Sequence, residues 1–237
     1  DRKLDAVWVH DHFFEQKGDG SVRSESQFEG SLWVRYLDHF SSLTVIGRDR
    51  SFGPFSEKGW YVKSSADRVH FKLYPSLSGQ VNVVKNSRRV HNLLLAEIKQ
   101  HDAVIVRLPS ELGYAAIKCA RKLNKPYAVE VVGCAWDALF YYGSAVGKLY
   151  APIAMARMKM AVYHADHALY VTKAFLQNRY PTKTPICINA SNVSIDALDA
   201  EVLNRRLKRI ANRTNGLVTL GIIGSLVHKY KGLHLLL

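Results

Sequence analysis

The chain has 237 residues, 48% of them hydrophobic, and a formal net charge of +13. That length holds one large α/β domain and the edge of another, and no run of about 20 uncharged apolar residues is present to form a transmembrane helix. The charge favours polyanions such as nucleic acid, an anionic membrane or diphosphate substrates, yet no aromatic RNP-like pattern or helix-turn-helix cue singles out nucleic acid. Cys119, Cys134 and Cys187 lack CxxC spacing, which points to reduced thiols and to no zinc site.

Residues 4–10 (LDAVWVH) form a strand-like apolar run. A long loop is expected over residues 11–30, with Gly18 and Gly20 inside it. Glycine lets a backbone approach a ligand closely, and equally it marks a plain surface loop. His10, Asp11, His12 and Glu15 gather metal-competent side chains, but the spacing is not HExxH, and a loop with two incidental histidines is the better reading. Residues 31–40 read as a helix and 43–46 as a short strand. Residues 51–59 read as a Gly/Pro loop, and 60–63 and 69–74 as short strands, antiparallel or peripheral. Residues 86–100 are amphipathic, with Val90, Leu93, Leu94 and Ile98 on one face. Residues 102–107 form a buried strand ending at Arg107, a side chain able to bind an anionic acceptor or to pair with a carboxylate. A helix follows over residues 115–123.

Residues 127–132 (YAVEVV) make another central strand, and Glu130 within it needs a partner if buried. The strand ends at Gly133-Cys134-Ala135-Trp136-Asp137. Asp137 is able to accept a proton or stabilise positive charge, or simply to cap the segment that begins at Ala138. Leu149, Ile153, Ala156, Met160 and Tyr163 give one helical face, and Lys148 and Lys159 fall together elsewhere on that helix as a basic rim. A strand over 167–172, a helix over 173–179 and a short strand over 185–190 follow. Next comes a basic helix with Arg205, Arg206, Lys208, Arg209 and Arg213. Its plain reading is a solvated face; its alternative is contact with an anionic membrane surface. Strands alternating with helices imply right-handed βαβ units, hence a mostly parallel, Rossmann-like α/β sheet with helices on both faces. Ligands bind such sheets beyond the carboxyl ends of the strands, which selects the loops at residues 10–20, 107–110, 133–137 and 171–173.

The last stretch, residues 217–237 (LVTLGIIGSLVHKYKGLHLLL), reads as a buried strand, a turn at Gly224 and Ser225, a basic cluster of Lys229 and Lys231, Gly232, and a leucine-rich helix start. Helix-start N–H groups and lysine charge together suit a phosphate. Neither GxxxxGK[ST] nor GxGxxG is present. A helix that stops at its first turn is unstable alone, so Leu237 is expected to be a cut with a second α/β domain beyond it. This divides the chain into a main domain over 1–195 and, over 196–237, a linker helix and the start of a second domain.

Three segments in order resemble group 1 (family 4) GT-B glycosyltransferases. Residues 165–173 (ADHALYVTK) resemble the family's helix-ending Asp, strand and hydroxyl-bearing turn. Asn192-Val193-Ser194-Ile195 stands where the family has an Asn-Gly-(Val/Ile)-Asp turn between its domains. Gly224-Ser225 followed by Lys231-Gly232 matches the opening of its nucleotide-binding half. Val193 departs from the glycine, and Ser225 from the arginine common at that point. The resemblance implies the acceptor-side half of a GT-B fold and a hexosyltransferase, retaining in stereochemistry. Such an enzyme moves a sugar from a nucleotide-sugar donor to a carbohydrate or lipid-linked acceptor in polysaccharide or glycoconjugate biosynthesis. It implies no cofactor and no metal, the donor being a substrate. Gly18, Gly20, Ser225, Lys229 and Lys231 are then the donor-phosphate candidates, Asp137 the catalytic candidate, and Arg107 and Cys134 the acceptor-side candidates. A cytoplasmic enzyme is implied, with a peripheral place on the membrane as an option, and the present chain is expected to be inactive alone. The alternative, from a different class, is a non-catalytic polyanion- or carbohydrate-binding α/β module with the same fold and charge.

Overall fold

A computed structural model describes residues 3–25, 27–50, 61–75, 80–141, 144–193, 199–212 and 221. Its spine is strand β1 (Leu4–Gln16). Apolar residues at consecutive positions bury both faces of this strand, as a central parallel strand requires: Val7 and Val9 enter one core, Ala6 and Trp8 the other. Strands β3 (Phe40–Asp49) and β5 (Val69–Tyr74) extend the sheet in parallel on one side of β1. Strands β6 (Ala103–Leu108), β7 (Tyr127–Val131), β8 (His167–Tyr170) and β9 (Cys187–Asn189) extend it in parallel on the other. The parallel order is therefore β5-β3-β1-β6-β7-β8-β9.

The loop expected over residues 11–30 is mostly strand. β6 pairs with β1 only as far as Val9. From Phe14 onward β2 (Val22–Glu25) takes that side, antiparallel, and β4 (Tyr61–Lys63) pairs with β2. Phe14 is fully buried beside Phe28 and Phe71, and that burial keeps the chain extended past His10. Gly18 and Gly20 consequently sit at the tip of a hairpin. Gly20 has φ +82°, the left-handed conformation that favours glycine, and its N–H donates to the Lys17 carbonyl at 2.9 Å.

The helix expected over residues 31–40 is shorter: a 3-10 turn (Gly30–Trp33) runs into α1 (Val34–Leu37), and β3 begins at Phe40. These pieces cover one face of the sheet with an aromatic core of Trp8, Phe14, Phe28, Trp33 and Tyr36. The other face is covered by α2 (Gln80–Gln100), α3 (Glu111–Lys122), α4 (Ala135–Phe140), α5 (Ala145–Tyr163) and α6 (Phe175–Arg179) over a mainly aliphatic core. In α2, Val90, Leu94 and Ile98 are buried as the periodicity predicts, whereas Leu93 is exposed.

Helix α5 reverses the expected arrangement. Its buried side is Ala151, Ala154, Met158, Ala161 and Val162; Leu149, Ile153, Ala156, Met160 and Tyr163 face solvent. Helix α7 (Ala200–Ala211) carries the arginine cluster. No helix among the described residues is long and apolar enough to cross a membrane. The 51–59 loop, the domain boundary at 195/196, and the Ser225, Lys229 and Lys231 cluster lie outside the described residues.

Candidate active site at the carboxyl edge of the sheet

The register shift between Val9 and Phe13 of β1 places His10, Asp11 and His12 at the carboxyl edge of the parallel strands. Asp11 crosses to the start of α3. Its carboxylate accepts the N–H of Glu111, and that of Leu112 at 3.3 Å. Ser110 caps the same helix, accepting the Gly113 N–H at 2.9 Å. The first three N–H groups of α3 are thus held by protein oxygens, and a carboxylate already occupies the positive end of its dipole. Arg48 Nε donates to the Asp11 carbonyl at 2.6 Å, and its guanidinium stacks over Phe13. Gly113 permits the close seat of α3, because a Cβ there would come within 2.6 Å of Val106 Cγ1.

His10 Nδ1 lies 3.2 Å from the Arg107 carbonyl oxygen. Burial, reinforced by the Arg107 charge, lowers the His10 pKa to about 3. His12 is lowered to about 4, by burial first and by Arg48 next. Both rings are therefore neutral near pH 7. Burial raises the Asp11 pKa, against the pull of Arg48. Three of the four candidate metal ligands are engaged by other partners: His10 with Arg107, Asp11 with α3, and Glu15 with Lys17 at 2.9 Å and Arg23 at 2.8 Å. Among the described residues no group of three or more His, Cys, Asp or Glu side chains is placed to hold a metal ion.

Arg107 and Glu130 stand directly opposite each other on β6 and β7, with N···O 3.4 Å. Their side chains are only 12% and 8% exposed. Tyr36 completes the carboxylate's shell, donating its hydroxyl to Glu130 Oε1 at 2.5 Å. A buried charge needs such partners, so Arg107 is engaged by Glu130 and joins the edge as one half of an ion pair.

After β7 the chain turns through Gly133 into α4. Cys134 is the N-cap: its sulfur accepts the Asp137 N–H at 3.4 Å and lies 3.2 Å from Tyr180 Oη. Asp137 stands in the first turn of α4, not at the cap, and Arg179 of α6 reaches its carboxylate at 3.5 Å. At 35% exposure the Asp137 side chain stays open to a ligand. Along the same edge Arg157 binds Glu111 at 2.9 Å and stacks on Tyr114. Tyr114 Oη, His12 Nε2 and Arg179 Nε are buried without a hydrogen-bond partner among the described residues, which leaves three polar atoms whose demand water or a ligand would meet.

The structure thus joins Arg107, Cys134 and Asp137 to one polar edge, and leaves Gly18 and Gly20 on the hairpin tip. Arg48, Tyr36, Arg179 and Tyr180 belong to that edge and were not singled out in the sequence. Only Glu130 announced itself, as a charge inside an apolar strand.

These features define a Rossmann-like α/β domain with a basic, hydrogen-bonded carboxyl edge. No family model matches the chain. Protein CapJ of Staphylococcus aureus is 33% identical over 230 residues, covering 97% of this chain and 55% of that protein. The chain therefore spans about half the length of this curated relative. Among solved structures, a UDP-glucosyltransferase from Polygonum tinctorium is similar at a TM-score of 0.47 with 12% identity, over 91% of this chain and 57% of its own. A UGT transferase from Siraitia grosvenorii in complex with UDP gives 0.46 and 13%, over 90% and 56%. A putative UDP-N-acetylglucosamine 2-epimerase from Listeria monocytogenes gives 0.41 and 11%, over 76% and 42%.

Proposed function

We propose that this chain is the acceptor-side half of a group 1 GT-B glycosyltransferase. The full-length protein would move a sugar from a nucleotide-sugar donor to a carbohydrate acceptor, lipid-linked or free, with retention of configuration. The observation that carries this reading is the carboxyl edge of the sheet. The stretch of β1 around His10 to His12 and the loops after β6 and β7 meet there, as ligand sites of parallel α/β sheets do, and they bring basic groups, neutral histidines and one accessible carboxylate together. The order of the three family-like segments, ending in Lys231-Gly232, supports the same reading.

In this mechanism Lys231, with Lys229 and the Ser225 turn, holds the diphosphate and stabilises the charge that develops on the leaving group. Asp137, oriented by Arg179, takes the acceptor hydroxyl's proton or stabilises positive charge on the sugar. Cys134 and Tyr180 fix the start of α4 and so the position of Asp137. Gly18 and Gly20 serve at the hairpin tip, where the backbone is open to approach: a Cβ at either meets nothing within 4 Å. No cofactor takes part, and the nucleotide sugar is a substrate.

The test is a donor screen on the full-length protein, following release of nucleoside diphosphate from several nucleotide sugars. Release in the wild type that falls at least about a hundredfold in Lys231→Ala is the expected result, the scale of losing one preorganised charge partner. No turnover with any donor, together with no nucleotide-dependent rise in melting temperature, would overturn the proposal and leave the binding module as the better account.

A further inference from the structure

Helix α4 stands at the carboxyl edge with two aromatic rings that the sheet does not use. Trp136 and Phe140 are four positions apart, so they share one side of the helix, and their rings stack with centroids 5.2 Å apart and 15° between planes. Both are half-buried, and neither belongs to the two cores. The Trp136 N–H donates to Tyr180 Oη at 3.4 Å, and the Lys148 ammonium lies 5.7 Å over Phe140. Phe140 is thus the brace, and Trp136 is held as a rigid ring. Asp137, the next residue, projects about 100° further around the helix and meets Arg179 of α6 at 3.5 Å. One turn before Arg179, Phe175 lies 5.7 Å from its guanidinium and is 51% exposed. Arg179 Nε is buried without a partner among the described residues.

The junction of α4 and α6 therefore combines aromatic rings on both helices with the carboxylate and guanidinium that join them. That pattern selects a chemistry. A hydrocarbon partner would strand the Asp137–Arg179 charges. A small anion would have no use for the rings and would face the Asp137 carboxylate. A pyranose uses both parts: its C–H face stacks on an aromatic ring, and its hydroxyls donate to a carboxylate and accept from a guanidinium. The unsatisfied Arg179 Nε adds a demand that a hydroxyl meets. We propose that the α4–α6 junction is a subsite for one pyranose ring, with Trp136 as its stacking platform and Asp137 and Arg179 as its hydroxyl partners. The proposal rests on the transferase reading in one respect, that the sugar bound here is the acceptor's terminal residue. Stacked on Trp136, that residue brings a hydroxyl to Asp137, the carboxylate that takes its proton. Binding of the ring itself needs no donor.

The test is saturation-transfer NMR on the full-length protein without donor. The probes are the methyl pyranosides of glucose, galactose, N-acetylglucosamine, N-acetylgalactosamine and glucuronic acid, with mannitol as an open-chain control. At least one pyranoside is expected to bind with a Kd on the order of 1–10 mM, saturated most strongly on the ring protons of one face, and mannitol is expected not to bind. Trp136→Ala is expected to weaken that binding at least about tenfold, and Trp136→Phe, which keeps a ring, by less than about threefold. Arg179→Met is expected to weaken it about tenfold, through loss of a charge-assisted hydrogen bond. If Trp136→Ala does not fold, Trp136→Leu, apolar but without a ring, carries the same expectation. Three results would overturn the proposal: no saturation of any pyranoside tested, wild-type affinity in the ringless variant, or a loss in Trp136→Phe as large as in that variant. Nucleoside diphosphate release is measured separately. Absent sugar binding with donor turnover intact strikes the subsite alone, whereas ring-dependent sugar binding without turnover of any donor strikes the transferase reading and leaves the subsite standing.

Discussion

Helices α3 and α5 pack on the same face of the sheet and solve opposite problems. α3 buries Leu112, Ala116, Ile117 and Cys119 and turns its lysines and arginine outward, so its apolar side is its packed side. α5 has apolar residues almost all round and packs through Ala151, Ala154 and Ala161, with Met158 and Val162 filling the gaps. The difference shows that side-chain size, as well as polarity, decides which side of a helix meets a sheet. Small residues let α5 seat closely, and the larger ones are left outside, where something other than the core must explain them.

The sharpest way to test this contrast is to remove packing from α3. Leu112→Ala, at a fully buried site, is expected to cost about 2–5 kcal/mol in urea unfolding, the range of transfer loss plus cavity. A cost below about 1 kcal/mol would show that α3 does not pack through this side. Next, Ala154→Leu adds bulk to the side of α5 that is packed and 6% exposed. It is expected to cost about 1–3 kcal/mol by overpacking; a neutral or stabilising result would mean that α5 seats loosely and that size does not choose its face.

Acid supplies the smallest effect, at the start of α3. His10 and His12, beside Asp11 at the α3 start, titrate near 3 and 4 in the fold, against about 6.5 in an unfolded chain. The unfolded state therefore binds more protons below pH 6.5. The stability present above that value is lost as pH falls toward the folded values. By about pH 5 each histidine is expected to remove about 1–2 kcal/mol. Asp11, whose pKa burial raises, acts in the opposite direction, so the cleanest readout is a difference. Between pH 7.5 and about pH 5 a His12→Gln variant should lose less unfolding free energy than the wild type. Equal losses would place His12 in solvent.

How far the site was legible follows from the same local-versus-distant distinction. Glu130 was legible because a carboxylate inside YAVEVV has no cheap place to go, and the structure supplies Arg107 and Tyr36. Their identity was not legible, since they lie 23 and 94 positions away. Asp11 reads as a loop residue in sequence; only the seating of α3 against β1 makes it the acceptor for that helix's first N–H groups. Asp137 was expected either at a cap or in chemistry. The cap went to Cys134, because the chain leaves β7 one turn earlier than the polar residues suggest.

By itself the sequence determined the alternation of strands and helices, the mostly parallel sheet and the turns that follow β6, β7 and β8 at its carboxyl edge. Hydrophobic periods of two and near four, with short connections, leave few other topologies. Tertiary structure alone decided the continuation of β1 past His10, which depends on Phe14 meeting Phe28 and Phe71. It decided the pairing of Arg107 with Glu130, which depends on the β6–β7 register. It also decided the side on which α5 packs, because periodicity marks an apolar stripe but only the space above the sheet determines whether large or small side chains fit there.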